Sequence, residues 1–432
     1  MADFEDAFED FSVEMVNYSI KKIGKFDRDW RIGTGGSLGG GILVKDQRVY
    51  FTSANHNAYC ADSNDGSVIW KFEARDVLFG GTPVLADGRL FVASYDRNIY
   101  ALDAGNGKLV WKYETRDKMS SALIESEGMI YAGGKDHNIY ALDAKNGNLV
   151  WKFRTFDGIL SHGLVVGERL LIGSYDHFLY CINKRTGGLI WKFETQGEIQ
   201  NFNPFAFKDG IVYFGSFDNY VRAVDVESGK LLWKRKAGNY GMSSAPVLHD
   251  KMLIVSTRDG ILFAFDLKGK VLWKHVGSDE DVLGVPRVFD GLLYVPSAGD
   301  WCMHCYGLDG KELWRFKTDG YVFEGSAKTG DHIIFGSWDC GLYCVDVNTR
   351  QLVWKFRAPG SPSYAPPPYE SFEIDFEVPK SEIEETSRRK YDFHLESENL
   401  NTSEYKSDIT YQSGTTYREK GKYQIDSKTE EF

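Results

Sequence analysis

Tryptophan recurs in this 432-residue sequence with a period that leaves few folds open. Trp70, Trp111, Trp151, Trp191, Trp233, Trp273, Trp314 and Trp354 follow one another at intervals of 40 to 42 residues, so no long insertion interrupts any unit. Within each unit the apolar residues alternate with period two, as in LFVASYD, NIYALD and KLVWKYE of the second unit, which marks half-buried strands and not helix. In that unit the alternation predicts strands over residues 82–85, 90–94, 99–103 and 108–113, with turns at Asp96 and at Asn106-Gly107, the latter a strong hairpin signal. Four short strands repeated eight times predict an all-β chain, an eight-bladed β-propeller of four-stranded antiparallel blades over residues 25–358.

The repeat carries a motif: Ala-x-Asp, then Gly, then Trp four residues after the Gly. It is complete in Ala101, Asp103, Gly107, Trp111; in Ala141, Asp143, Gly147, Trp151; in Ala223, Asp225, Gly229, Trp233; and in Ala264, Asp266, Gly269, Trp273. The motif resembles the repeat of the quinoprotein-like (PQQ-like) propeller family and lacks the Gly-His and Trp-Asp marks of WD repeats. Four units depart from it: Cys60 and Cys181 stand for Ala, Asn183 for Asp, Cys305 and Gly307 replace Ala and Asp in unit seven, and unit eight has Cys344 for Ala and Arg350 for Gly. Packing explains the pattern, because a Trp fills the cleft between blades only where the facing residue is small. A buried aromatic removes about 150–250 Å² from water, a gross gain of about 4–6 kcal/mol at about 25 cal/mol per Å². The eight Trp are therefore expected to be structural inter-blade staples.

The net charge of −11 sits at the ends. Residues 1–24 hold six acids and two lysines, the last 72 residues hold sixteen acids and nine bases, and the propeller between them is close to neutral. This balance argues against nucleic acid and against an anionic membrane as partners, since both need a basic face. The first twenty residues contain no Lys or Arg, unlike a secretory signal, and no run of eighteen apolar residues exists, so the expected compartment is the cytoplasm. Phe4, Phe8, Phe11 and Met15 fall at helical spacing, predicting an acidic amphipathic helix within residues 1–24. Trp30 lies forty residues before Trp70, in phase with the repeat, and its segment is expected against the seam between blades one and eight. Residues 359–371 hold five prolines and read as an extended linker; residues 372–432 alternate in short stretches and read as strand-prone or disordered.

Six dispersed cysteines fit a reducing compartment. Cys302 and Cys305 spell C-x-x-C, but no second pair stands at zinc-finger spacing. Cys305 shares the small-residue position of the repeat while Cys302 faces the other side of the sheet, so packing is the expected role. The turns between the second and third strands carry Asn55, Asp96, Asp136, Asp176, Asp218, Asp259, Asp300 and Asp339, which is mainly turn chemistry. The next position reads His56, Arg97, His137, His177, Asn219, Gly260, Trp301 and Cys340; Arg97, His137 and His177 are candidate recognition residues on that face. Loops entering the innermost strands place His162, Asn201, Asn203, Arg287 and Glu324 as candidate liners of a polar channel mouth. None of these pairs has a spacing diagnostic of catalysis, so no catalytic residue, cofactor or metal ligand is assigned.

The resemblance implies two function classes. Quinoprotein dehydrogenases of the family are exported, longer, build a calcium and quinone site from added loops, and often carry an adjacent Cys pair. Noncatalytic relatives, such as outer-membrane assembly lipoproteins, carry a signal peptide and a lipidated Cys. This sequence shows none of these marks, so the expectation is a noncatalytic, cytoplasmic scaffold for protein partners. The alternative is a small-molecule or quinone-binding oxidoreductase with its site at the channel mouth. Partner binding is expected to depend more on the terminal extensions than on the channel, and the protein is expected to hold no quinone, haem or stoichiometric metal.

Overall fold

The computed structural model describes residues 36–360, except 39, 79, 80, 120, 243, 278–283 and 324, together with 408–410 and 416–418. The chain divides into two units, residues 29–368 and residues 1–28 with 369–432. In the second of these the described residues form one hairpin, Asp408–Thr410 paired antiparallel with Thr416–Arg418. The expected helix in residues 1–24, the segment around Trp30 and the linker beyond residue 360 lie outside the described residues.

The larger unit is an eight-bladed β-propeller, each blade a four-stranded antiparallel sheet in sequence order, and no helix occurs among the described residues. The blades span residues 43–73, 84–114, 124–154, 164–194, 206–236, 247–276, 287–317 and 327–357. Their strands are called A to D from the inside outward; in blade 2 they are Val84–Ala86, Arg89–Ala93, Asn98–Asp103 and Leu109–Glu114. Strand A thus begins two residues later than the alternation predicts. Strands B and C are buried almost throughout, because neighbouring blades cover both faces of the sheet, while strand D alternates between buried and exposed positions.

The motif residues divide the work of holding blades together. Ala101 lies directly across from Trp111 in the same sheet, and a bulge follows, so that Leu102 pairs with Leu109 and Val110 is skipped. The bulge leaves Leu109 and Val110 both turned outward, 47% and 45% exposed. The indole crosses to the next blade, where Trp70 Nε1 donates to the Ala104 carbonyl at 3.0 Å, Trp111 to Ala144 at 3.0 Å and Trp151 to Lys184 at 2.9 Å. Trp191, Trp233, Trp273 and Trp354 make the corresponding bonds to Val226, Leu267, Leu308 and Ser63. The Gly of the motif is required twice over at this contact. Gly107 has φ +74°, and a Cβ there would stand 2.6 Å from Cε3 of Trp70. The Asp caps the same turn, with Asp103 Oδ1 accepting from the amides of Gly105 and Asn106. Asn183 makes the same two contacts with its amide oxygen, which is why blade 4 tolerates the change.

Blade 8 has its own strand D, Leu352–Arg357, and among the described residues the ring closes by packing rather than by sharing a sheet between blades 1 and 8. Trp354 lies on Gly66 of blade 1, Leu38 N donates to the Ser337 carbonyl, and the side chains of Leu38, Phe51, Tyr59, Leu342 and Trp354 form one buried cluster.

Candidate functional site

The B–C turns and the D–A loops emerge together at one end of the propeller. Most acids of the B–C column are spent within the fold. Asp96 Oδ1 accepts from the Asn98 amide at 3.0 Å, while Oδ2 accepts from Arg75 N of the loop leaving blade 1, at 3.0 Å, and from the Tyr100 hydroxyl at 2.5 Å. The inter-blade bond recurs from Arg116 to Asp136, Phe156 to Asp176, Gln196 to Asp218 and Asn239 to Asp259, at 2.9 to 3.2 Å. These carboxylates join each turn to the preceding loop.

The position after the Asp adopts the left-handed conformation in all eight blades. The φ values are 69° at His56, 69° at Arg97, 66° at His137, 71° at His177, 71° at Asn219, 71° at Gly260, 61° at Trp301 and 72° at Cys340. An L side chain there costs about 1 kcal/mol against glycine, and Gly260 demonstrates that glycine satisfies the turn. Seven blades nonetheless carry side chains. Arg97 and His137 are 55% and 38% exposed, and His177 is also exposed. Arg97 meets Glu114 at 3.4 Å, and His137 Nε2 lies 3.9 Å from Asp157.

Inside this rim lies a column that sequence reasoning passed over: Tyr95, Lys135, Tyr175, Phe217, Arg258 and Trp338, each immediately before the Asp. Lys118 and Lys135 lie 5.8 Å and 5.7 Å from the Tyr95 ring, and Arg258 lies 5.3 Å from Phe217. Burial, with the nearby charge of Glu198, pushes the Tyr175 phenol up; Tyr95 and Arg258, each two blades away, also act on it, so these side chains converge towards the axis. The signal was present in the repeat, since an aromatic or basic residue fills this one register position in six of the eight blades.

The channel-mouth candidates separate in the structure. His162 is partly buried, its Nδ1 2.8 Å from the Gly163 carbonyl, and desolvation, helped by Arg287, brings its pKa down to about 4, leaving a neutral imidazole. Asn201 is fully buried, and among the described residues neither end of its amide has a partner. Asn203 spends both amide ends on the Ala245 backbone at 2.7 and 3.1 Å, so it ties blade 5 to blade 6 and offers nothing to a ligand. Arg287 begins strand A of blade 7 with its guanidinium against Gly325, where a Cβ would lie 3.1 Å from Nε; Glu324 lies outside the described residues. Phe202 and Phe323, from the inner loops of blades 5 and 8, meet edge to face with centroids 5.7 Å apart. That pair bridges the channel between blades 5 and 8.

The family model described as outer membrane protein assembly factor BamB matches residues 22–152 and 135–281. The chain belongs to this PQQ-like repeat family. The BamB structure from Moraxella catarrhalis aligns with TM-score 0.61 at 19% identity, over 74% of this chain and 94% of that one. The computationally designed Ika8 protein aligns with TM-score 0.63 at 15% identity, over 71% and 94%. The quinohemoprotein alcohol dehydrogenase of Comamonas testosteroni aligns with TM-score 0.58 at 13% identity, over 76% of each chain. At these identities the likeness to solved structures is one of fold. No curated protein matches the sequence.

Proposed function

We propose that the protein is a noncatalytic scaffold that binds protein partners through the face formed by the B–C turns and D–A loops. The supporting observation is the left-handed column. Seven of eight blades hold a side chain where glycine is the cheaper residue, and Arg97, His137 and His177 present theirs to solvent on successive blades. Membership in the BamB family agrees with this reading. A photo-reactive residue at position 137 should crosslink partner protein in the source cell, whereas one at Asp209, exposed in an A–B turn of the opposite end, should not. Replacing Arg97, His137 and His177 together by Ala should abolish the crosslink. Equal crosslinking from both positions, or loss of partners only on truncation to residues 25–360, would move recognition to the terminal extensions.

A second reading, a small-molecule enzyme working in the channel, draws on the unpartnered amide of Asn201 beside neutral His162. A purified protein that carries a chromophore or tightly held small molecule lost on Asn201→Leu would favour it over the scaffold.

A further inference from the structure

The seam between blades 6 and 7 departs from the repeat at several positions at once, and the changes meet in space. In strand D, the position two residues after the Trp is Phe72, Tyr113, Phe153, Phe193, Phe316 or Phe356 in six blades, but His275 in blade 6. The facing position on strand C is Tyr59, Tyr100, Tyr140, Tyr180 and Tyr343 in five blades, but His304 in blade 7. Two positions before it stand Asn57, Asn98 and Asn138 in the first three blades, and Cys302 here. On strand D, the position aliphatic in the seven other blades, from Val68 to Leu352, is Glu312. The bulge after Cys305 pairs Glu312 with Tyr306 and turns its side chain to the same side as His304. A cavity of about 340 Å³ opens beside them, lined by His275, His304, Tyr306, Glu312 and Arg315.

One ligand atom from each of Asp300, Cys302 and His304 lies within 4.8 Å of the others. His304 Nε2 is 3.1 Å from Asp300 Oδ1, close to the edge of about 3.3 Å that two metal bonds of about 2.0–2.1 Å subtend in a tetrahedron. The other imidazole nitrogen, Nδ1, meets Glu312 Oε1 at 3.1 Å, the outer-shell carboxylate contact that orients metal-binding histidines. Arg315 fixes that carboxylate in turn, Nε to Oε1 at 2.7 Å and Nη2 to Oε2 at 2.8 Å, and reaches Asp300 Oδ2 at 3.2 Å. Cys302 and His304 are each 3% exposed. A divalent ion would meet the charges of the Asp300 carboxylate and a Cys302 thiolate, while Arg315 pairs with Glu312 and Lys317 donates to the Asp300 carbonyl.

We propose that Asp300, Cys302 and His304 bind one divalent transition-metal ion of the zinc class, with Glu312 as the positioning carboxylate and water from the adjoining cavity as a fourth ligand. The thiolate–imidazole–carboxylate set selects zinc or cobalt over magnesium or calcium, which prefer all-oxygen cages. The site departs from the expectation that the protein holds no stoichiometric metal, because that expectation looked for a second C-x-x-C pair at zinc-finger spacing. Cys305 faces blade 8, in a buried cluster with Tyr294, Phe335 and Val345.

The full-length reduced protein, stripped with chelator, is titrated with Co²⁺ and then Zn²⁺. One equivalent of Co²⁺ should produce a thiolate-to-cobalt charge-transfer band that Zn²⁺ abolishes. Cys302→Asn and His304→Tyr restore residues that other blades use, so both should fold, and each should lose at least about 100-fold in affinity; the first should lose the band outright. Glu312→Leu should weaken binding about 10–100-fold, and Cys305→Ala should change nothing. Failure of the wild type to take up either ion at micromolar concentration, or uptake unchanged in both Cys302→Asn and His304→Tyr, would overturn the assignment.

Discussion

The seams between blades 3 and 4 and between blades 6 and 7 share their outer staple and differ in everything behind it. In both, an indole lies on a left-handed Gly, Trp151 on Gly187 and Trp273 on Gly310, and donates to a carbonyl of the next blade. Behind Trp151, Phe153 meets Tyr180 edge to face at 5.5 Å, and the Tyr180 hydroxyl donates to Asp176 at 2.7 Å. Behind Trp273 stand His275, His304 and the cavity. The Trp–Gly contact therefore holds adjacent blades whatever fills the middle of the seam. That frees the middle to vary, and it varies in three consecutive blades: Arg222 in blade 5, Phe263 in blade 6 and His304 in blade 7 replace the usual Tyr.

The largest effect should come from the staple itself. Trp151→Ala is expected to cost about 3–5 kcal/mol, the usual range for a buried Trp. Trp273→Ala should cost measurably less, because that indole is only half-buried. Equal losses in denaturant midpoint would mean that the two seams are not energetically distinct.

Next comes the ionic middle of the seam between blades 4 and 5, where Asp218 and Arg222 pair with only 5% and 4% of their side chains exposed. Asp218→Asn strands the guanidinium and should cost about 3 kcal/mol. Arg222→Tyr, which restores the hydroxyl used by five other blades, should stay within about 1 kcal/mol of wild type. A large loss in the tyrosine variant would show that this seam cannot revert.

The axis supplies a comparison with the rim. His162 has a folded pKa of about 4 against about 6.5 when unfolded, so between those values the unfolded chain binds the extra proton. Its penalty is absent above about pH 6.5, grows as pH falls, and levels off below about pH 4 at roughly 3 kcal/mol. Urea midpoints measured from pH 7 to 4 should show this loss, and His162→Asn should flatten it. An unchanged slope in that variant would place the acid sensitivity in other groups.

The smallest expected effect lies at the closing seam, where polarity is reversed. Blades 2 to 6 use an Asp that accepts from the amide five or six residues after the preceding Trp. At closure that residue is Pro359, which has no N–H, and the acid is replaced by Asn55. Its Nδ2 donates to the Pro359 carbonyl and to the Tyr59 hydroxyl, both at 2.9 Å. Asn55→Asp sets a carboxylate against a carbonyl and should cost about 1–2 kcal/mol; adding Pro359→Arg, which supplies the missing donor, should recover most of it. No recovery in the double variant would show that the two positions are not coupled.

Periodicity alone determined the fold. Eight tryptophans in phase and a period-two alternation prescribe eight four-stranded blades, because strands B and C must be apolar on both faces and strand D on one. The same regularity made Asn183 and the cysteines at the Ala position legible as mild changes. What periodicity cannot carry is which residues of different register meet across a seam. The alternation already set Cys302 and Cys305 on opposite faces, but only the bulge after Cys305 brings Glu312 to His304 from eight residues away. Asn203 and Asn201 are two residues apart and chemically alike, yet one is consumed by the Ala245 backbone and the other is left without a partner among the described residues. Those outcomes belong to the tertiary structure, because the pleat, the bulge and the approach of the neighbouring sheet decide where each polar atom finds its bond.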